Sequence, residues 1–539
     1  MQAPKIRRFD APRLARCSLI VMLLTLPAAA KAPGSACAAC HPKETAGYDA
    51  SAMAHSLGPV RELPSGAFVH TLSGTRFEIS FHSGHMTQTL ERGGESGHHD
   101  IAYFVGSGSH ATGFLTWAGD SLLQSPVSWY VSRHAWDMAP GYEQDRAPDF
   151  DRPVTPECLF CHAGNVRPIR GTANRYEKPP VGFESISCSR CHGDAERHLR
   201  APTPGSIINP AKLPARARDS VCEQCHLSGV SRIPNPGKQI TDFRPGQELE
   251  EVFSVYVYRG SKDPSRAAPL RVISQAQQLA LSACARFSGG KMWCGSCHDP
   301  HYTPRDPKSY FRDRCLACHG AKLLASHPKP VDDCIGCHMP KRPTEDGAHT
   351  VFTDHYIARR PKADVAADPA EPLVAWHDPP APYINRNLGL ADIDTGRKLH
   401  SAAHMLAALP LLSNASREFP HDPEVQVGLG MVLLGTKHVP VAAKLFQEAA
   451  SQAPGTAAYF LNEGFAWHAA HEFGKAAEAL EQALRLDPRL EDAYRELALI
   501  NAESHDQEAL RTTVLRYLKA FPQSIEAQTF ARRLQVSEP

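Results

Sequence analysis

Cys37-Ala-Ala-Cys40-His41 is the first of seven stretches built alike. The same Cys-x-x-Cys-His pattern returns as Cys158-Leu-Phe-Cys161-His162, Cys188-Ser-Arg-Cys191-His192, Cys222-Glu-Gln-Cys225-His226, Cys294-Gly-Ser-Cys297-His298, Cys315-Leu-Ala-Cys318-His319 and Cys334-Ile-Gly-Cys337-His338. Two thiols three residues apart sit one helical turn apart, which is the separation of the two vinyl groups of one porphyrin. The His that follows falls beneath the iron and supplies an axial nitrogen. The pattern therefore predicts seven covalently attached haem c groups. Zinc ribbons also use Cys-x-x-Cys pairs, but zinc gives no reason for a His after the second Cys in every copy. The motifs use fourteen of the 16 cysteines. Of the other two, Cys17 falls in the expected leader, and Cys284, within LALSACARF, reads as a small core residue.

The N-terminus suits haem attachment outside the cytoplasm. Lys5, Arg7, Arg8, Arg13 and Arg16 precede a short apolar run, Ser18–Ala30, that ends Ala28-Ala29-Ala30. This reads as a signal peptide over 1–30 with an A-x-A cleavage site, too short for a comfortable membrane span. An uncleaved leader acting as an anchor is the alternative. The Arg7-Arg8 pair resembles a twin-arginine signal, but haem is joined after export to an unfolded chain, which argues against that route. The expected location is periplasmic or secreted. No later apolar stretch approaches spanning length, so no integral membrane span is expected. Lys+Arg number 58 against 57 Asp+Glu, without the basic excess a nucleic-acid partner would require.

The remaining chain divides by pattern. Between the first two motifs the period becomes two: Phe77, Ile79 and Phe81 alternate with Glu78 and Ser80. With Ile101–Val105 and Pro126–Val131, this predicts short antiparallel strands over about 66–132. Residues 361–388 are rich in Pro and Ala and read as a linker. Beyond it Pro420, Pro454, Pro488 and Pro522 recur every 34 residues, in phase with Gly396, Gly430, Gly464 and Ala498. Ala408, Ala442 and Ala476 keep the same period, as do Ala415, Ala449 and Ala483. Small residues at a helix crossing and Pro at the repeat end make the tetratricopeptide pattern. Leu510 and Tyr517 depart from it in the fourth repeat, as suits a terminal cap, and Asp392 departs from it in the first.

The segments SACAACHPKETAGYDASAMAHSL, IAYFVGSGSHATGFL, PVSWYVSRHAWDMAPGY, CSRCHGDAERH, CGSCHDPHYTPR and CIGCHMPKRPTEDGAHTVFTDHYI resemble multihaem c-type cytochromes of the cytochrome c-554-like class. More closely, the chain resembles secreted bacterial proteins that join such a domain to tetratricopeptide repeats. The resemblance implies a loop-rich multihaem cytochrome c domain over 31–360, with short helices and a small β insert. An all-α tetratricopeptide-repeat solenoid follows over 389–539. It also implies periplasmic or surface electron transfer, without fixing a substrate.

Bis-histidine ligation needs a second His for each iron, and 21 His lie outside the motifs. Family pattern and local context select His55, His110, His198, His301, His327, His349 and His355. His301 follows His298 by three residues, which reach at most roughly 10–11 Å. Trans-axial ligands hold their Cα atoms about 12 Å or more apart by the same chain dimensions. His301 is therefore expected to serve a neighbouring haem. His198, about 9 Å along a helix from His192, is expected to do likewise. His82, His85, His98, His99 and His134 read as hairpin-surface or second-shell groups, and the repeat histidines as ordinary helix residues. Met292 and Met339 read as packing residues.

Three functions follow in order. The first is a secreted electron carrier whose repeats dock redox partner proteins, with no catalytic residue of its own. The second is a multihaem oxidoreductase acting on a small nitrogen or sulfur compound at one open-site haem, with Arg259, Arg286, Lys291 and the segment Trp129–Trp136 as candidate helpers. The third is a repeat-based interaction protein with structural haems.

Overall fold

The computed structural model describes residues 34–265, 269–327, 332–359 and 368–535. The expected leader lies outside them. Period-two alternation builds the largest element. Thr75–His82 alternates buried and exposed side chains, with Phe77 and Ile79 inward and Arg76, Glu78 and Ser80 outward. It pairs antiparallel with His85–Arg92, and that strand with Glu95–Val105. Ser83-Gly84 and Gly93-Gly94 make the two-residue turns. All four residues have positive φ, as the tightest hairpins require.

The β insert is larger than the sequence suggested. The antiparallel sheet has ten strands, from Leu57–Pro59 to Arg152–Pro153, in place of a small insert over about 66–132. The part between the first two motifs is sheet-rich and not loop-rich. The added edge strands, three and two residues long, are too short to show periodicity. The long strand Glu95–Val105 hides its pattern behind His98, His99 and Asp100, and its register shifts between Ile101 and Tyr103. Phe77, Met86, Leu90, Phe114 and Val127 fill the core, each 1% exposed or less.

The C-terminal region consists of helices alone from Ile384 onward among the described residues: Ile384–Leu399, Ala402–Glu418, Pro423–Gly435, Val439–Gln452, Ala457–Ala469, Phe473–Leu486, Glu491–Glu503, Gln507–Ala520 and Ile525–Arg533. They pack as antiparallel pairs at the 34-residue period. Ala408, Ala415, Ala442, Ala449, Ala476 and Ala483 are fully buried at the crossings. A Cβ on Gly430 would lie 2.7 Å from the Phe446 ring, and one on Gly464 2.6 Å from Leu480. Those helices touch because these positions carry no side chain. In the fourth repeat Tyr517 fills the crossing, stacked on Tyr494 at 5.7 Å with its hydroxyl donating to Glu491. Asp392 is buried and pairs with His404 Nδ1 at 2.7 Å, so this repeat histidine is a buried partner within its helix.

Part of the stretch 361–388, read as a linker, is built into the fold. Leu373–Ala375 adds a third strand beside Phe253–Tyr258 and Ser231–Pro234. Trp376 is buried and donates from Nε1 to Glu223. Arg386 pairs with Asp422, while Asn387 donates to Asn235 and Ser254. The turns between repeats then lie along the N-terminal half. Ala457 N donates to Gly171 O, Arg175 donates to Leu486 O and pairs with Asp487, and His98 N donates to Gln523. At the far end Ile525 enters the core of the sheet, and its N–H donates to Asp149 Oδ2 at 3.1 Å.

Burial pushes the Asp149 carboxyl up to about 7, with Glu491 and Asp151 adding repulsion and the Phe150 and Ile525 amides opposing it. Free Asp ionises near 3.9, so the native state holds the extra proton between roughly pH 4 and 7. The stability this group contributes is complete below that window and lost as pH rises through it. Asp149→Asn is expected to flatten that part of the stability–pH curve, read by denaturant midpoints; an unchanged slope would place the titration elsewhere.

Candidate haem-binding site

Each motif occupies a helical turn. His41 N donates to Cys37 O at 2.8 Å, and the same bond closes at His192 and His298 at 2.9 Å. The second and fourth motifs end the helices Pro156–His162 and Ala215–His226. The sixth lies within Pro307–Ser326, and the seventh forms Cys334–His338 with Asp333 accepting from Gly336 N at its start. The turn places both thiols of each pair along one side, with the His one residue on.

Four motif histidines face a second imidazole from elsewhere in the chain. The ring of His41 lies near that of His198 with centres 6.4 Å apart, His192 near His301 at 5.8 Å, and His298 near His355 at 6.1 Å, the planes of each pair within 30° of each other. His338 meets His327 at 6.2 Å with the rings perpendicular. A metal–imidazole bond of about 2.0 Å on each side, plus the half-width of each ring, sets opposed ring centres about 6 Å apart. The spacing is that of two imidazoles holding one iron between them. His301 faces the histidine of the third motif, and His198 that of the first.

Hydrogen bonds fix the tautomers. Nδ1 of His192 meets Ile208 O at 2.8 Å, that of His338 meets Ala358 O at 2.8 Å, and that of His355 meets Thr353 O at 3.0 Å. A carbonyl can only accept, so Nδ1 carries the proton and Nε2 keeps a free lone pair. Burial lowers the pKa of His162, His192, His226 and His355, and lowers that of His298 to about 4 with help from His355 and His226. These rings are held neutral, the form that binds metal.

The other three chosen residues lie elsewhere. His55 Nδ1 is 3.4 Å from Arg61, His110 lies 4.1 Å over Phe352, and His349 Nε2 is 3.1 Å from Asp137 with its ring against Tyr130. None is brought opposite His162, His226 or His319. His99, read from sequence as a hairpin-surface or second-shell group, stacks on Phe150 at 3.8 Å with its pKa lowered to about 4 by burial. Cys284 was read as a core residue, whereas this thiol is only half-buried. Trp129 and Trp136 pack edge to face, and Arg286 lies over the exposed Phe287 ring. His377, not singled out by its context, lies 3.6 Å from Glu223 of the fourth motif; its neighbour Trp376 was the available signal.

Motifs also meet each other through sulfur. Thiols of different motifs lie close enough to interact: Cys161 with Cys225, Cys222 with Cys294, Cys37 with Cys188 and Cys315 with Cys334. All the described cysteines are free.

Comparison with known proteins agrees with this chemistry in part. Residues 110–193 match the family "Cytochrome c554 and c-prime". That stretch holds the second and third motifs, and the match supports a c-type cytochrome with haem c. No curated protein matches the chain. Solved structures match the helical region. The Cut9-Hcn1 assembly of APC/C is 23% identical over 27% of this chain and 29% of its own, with a TM-score of 0.24. The Arabidopsis OM64 TPR domain is 21% identical over 21% and 93%, at 0.20, and the MamA protein 14% identical over 29% and 98%, at 0.23. This chain thus spans under a third of the Cut9-Hcn1 chain it matches. No helix among the described residues is long and apolar enough to cross a membrane.

Two observations bear on whether haem fits. Among the described residues no three His, Cys, Asp or Glu side chains gather as a metal-ion site, whereas a porphyrin iron needs only two protein ligands. After Leu281 the next buried apolar side chain among the described residues is Leu373. The intervening stretch carries three motifs without an apolar core of its own, and a porphyrin supplies that missing surface. The residues fit the group. A chain produced without haem attachment is therefore expected to be cut by proteases within 282–359 while the sheet and the repeats resist. Equal resistance of that stretch would show that it folds without haem.

Proposed function

We propose that the chain is a secreted seven-haem c-type cytochrome that transfers electrons, with its tetratricopeptide repeats docking redox partner proteins. The observation that carries this reading is the set of four opposed imidazole pairs at metal-bridging distance. In it the fourteen motif cysteines hold the porphyrins. His41, His162, His192, His226, His298, His319 and His338 would each hold an iron from one side. His198, His301, His355 and His327 would hold it from the other at the first, third, fifth and seventh motifs. His55, His110 and His349 remain the candidates for the other three after movement from their present partners. When bound, haem c supplies a one-electron ferric/ferrous couple.

The chain's own residues do the rest. Carbonyls of Ile208, Ala358 and Thr353 accept from Nδ1 of His192, His338 and His355 and would leave each Nε2 free to hold iron. Thiol contacts between motifs place neighbouring attachment points side by side. One edge of the repeats lies on the N-terminal half, so docking falls to the opposite edge, where the turns at His400, Lys437, His471 and His505 are exposed.

A second reading has its own support. His162, His226 and His319 face no imidazole among the described ring contacts. An iron left open there would make the protein an oxidoreductase acting on a small nitrogen or sulfur compound.

Pyridine haemochrome absorbance with intact mass is expected to give seven haems; four or five would contradict the count. His301→Ala is expected to create one high-spin ferric centre, seen by low-temperature electron paramagnetic resonance, at the haem of the third motif and not the fifth. Absence of a new high-spin signal would remove His301 from the ligand set. High-spin signal already present in the unaltered protein would favour the oxidoreductase.

A further inference from the structure

We infer that Arg190 and Arg232 raise the reduction potential of the haems attached through Cys161 and Cys225, making these the electron-holding pair of the chain; this rests on the haem reading above. Arg190 lies inside the third motif, and Arg232 in the strand Ser231–Pro234. Both converge where the second and fourth motifs touch. Arg232 Nη1 is 3.8 Å from Cys161 Sγ and 3.2 Å from Gln224 O, and Nη2 donates to Leu227 O. Arg190 Nη2 donates to Phe160 O at 3.0 Å, with its guanidinium 3.6 Å over the Phe160 ring and beside the Cys225 thiol.

Neither guanidinium has a carboxylate. Among the described residues their partners are carbonyls, rings and sulfur, and the Nε of each is buried without any partner. Buried charges are ordinarily paired. The acidic group nearest Arg232 in sequence, Glu223, is engaged elsewhere: Trp376 Nε1, Arg216 and His377 surround it, and Arg216 also holds Glu250; Asp194, nearest Arg190, is exposed and accepts from Glu196 N. Asp219 is paired with Arg218. Among the described residues the sulfurs are the only ionisable partners the two guanidiniums have, and thioether formation would make them uncharged. Arg does not deprotonate in proteins, so two half-buried positive charges remain beside the two cysteines that would carry the porphyrins. Ferric haem carries one more positive charge than ferrous, so fixed positive charge favours the reduced form.

The bland account is that both arginines cap helix ends, since Phe160 and Gln224 carbonyls close the second- and fourth-motif helices. Charge and shape are separable. In the fully loaded protein, Arg190→Gln and Arg232→Gln are each expected to shift at least one couple of the spectroelectrochemical titration toward lower potential. The expected size is about tenfold in the reduction equilibrium, or roughly 59 mV for one electron. Arg190→Lys and Arg232→Lys keep the charge and are expected to leave the curve near that of the unaltered protein. Loaded Gln variants with an unchanged curve would overturn the inference, as would Lys variants that shift as far as Gln. Loss of haem from both Gln and Lys variants would also overturn it, because the guanidinium shape would then be what matters. Peptide mass of the segments 158–162 and 222–226 in the unaltered protein separates this from failure of the haem reading. Haem missing there sinks the haem reading itself; haem present with no charge effect sinks only the inference.

Discussion

Four pairs of imidazoles from distant segments stand with ring centres about 6 Å apart, the distance that the proposed bis-imidazole irons would impose. Opposed ring centres must stand about 6 Å apart. Neighbouring residues cannot supply them, because a motif His and its trans partner must come from opposite sides of a porphyrin. The chain answers by crossing segments. His41 meets His198, His192 meets His301, and His298 meets His355. Each pairing ties together stretches dozens or more residues apart, so ligand placement and tertiary structure are one problem. The carbonyls behind the rings matter as much as the rings, since they decide which nitrogen is free.

This constraint explains the uneven core. The sheet and the repeats bury ordinary apolar side chains, from Phe77 and Leu90 to Ala442 and Leu480. The stretch between Leu281 and Leu373 buries none among the described residues. In that stretch the fifth and seventh motifs sit on short turns, and the sixth lies within Pro307–Ser326. The repeats form a frame laid across the N-terminal half, fixed at one end by Arg386, Asn387 and Leu373 and at the other by Ile525. Such a frame holds distant segments at fixed separation, the geometry that the proposed paired ligands would demand.

Much of this was legible in the sequence. The helical turn of each motif follows from its spacing, and the repeat helices from the 34-residue period of Pro, Gly and Ala. The reach argument for His301 needed only chain dimensions. The extent of the sheet was hidden, because Leu57–Pro59 and Arg152–Pro153 are held by partners and not by their own pattern. The docked part of the linker was hidden by its Pro-rich composition, although Leu373, Val374 and Trp376 interrupt it. Asp392 looked like a flaw in the first repeat until His404 was found against it. His349 and His110 were chosen from pattern, and pattern carries no information about Asp137 or Phe352.

The central claim is that distant segments supply paired imidazoles to single irons. Near-infrared magnetic circular dichroism of the fully oxidised protein tests it most directly, because its charge-transfer bands distinguish bis-imidazole iron from thioether-ligated or high-spin iron. The account predicts that at least four of the irons show the bis-imidazole signature. Fewer than four, or a spectrum dominated by methionine-ligated or high-spin centres, would contradict it.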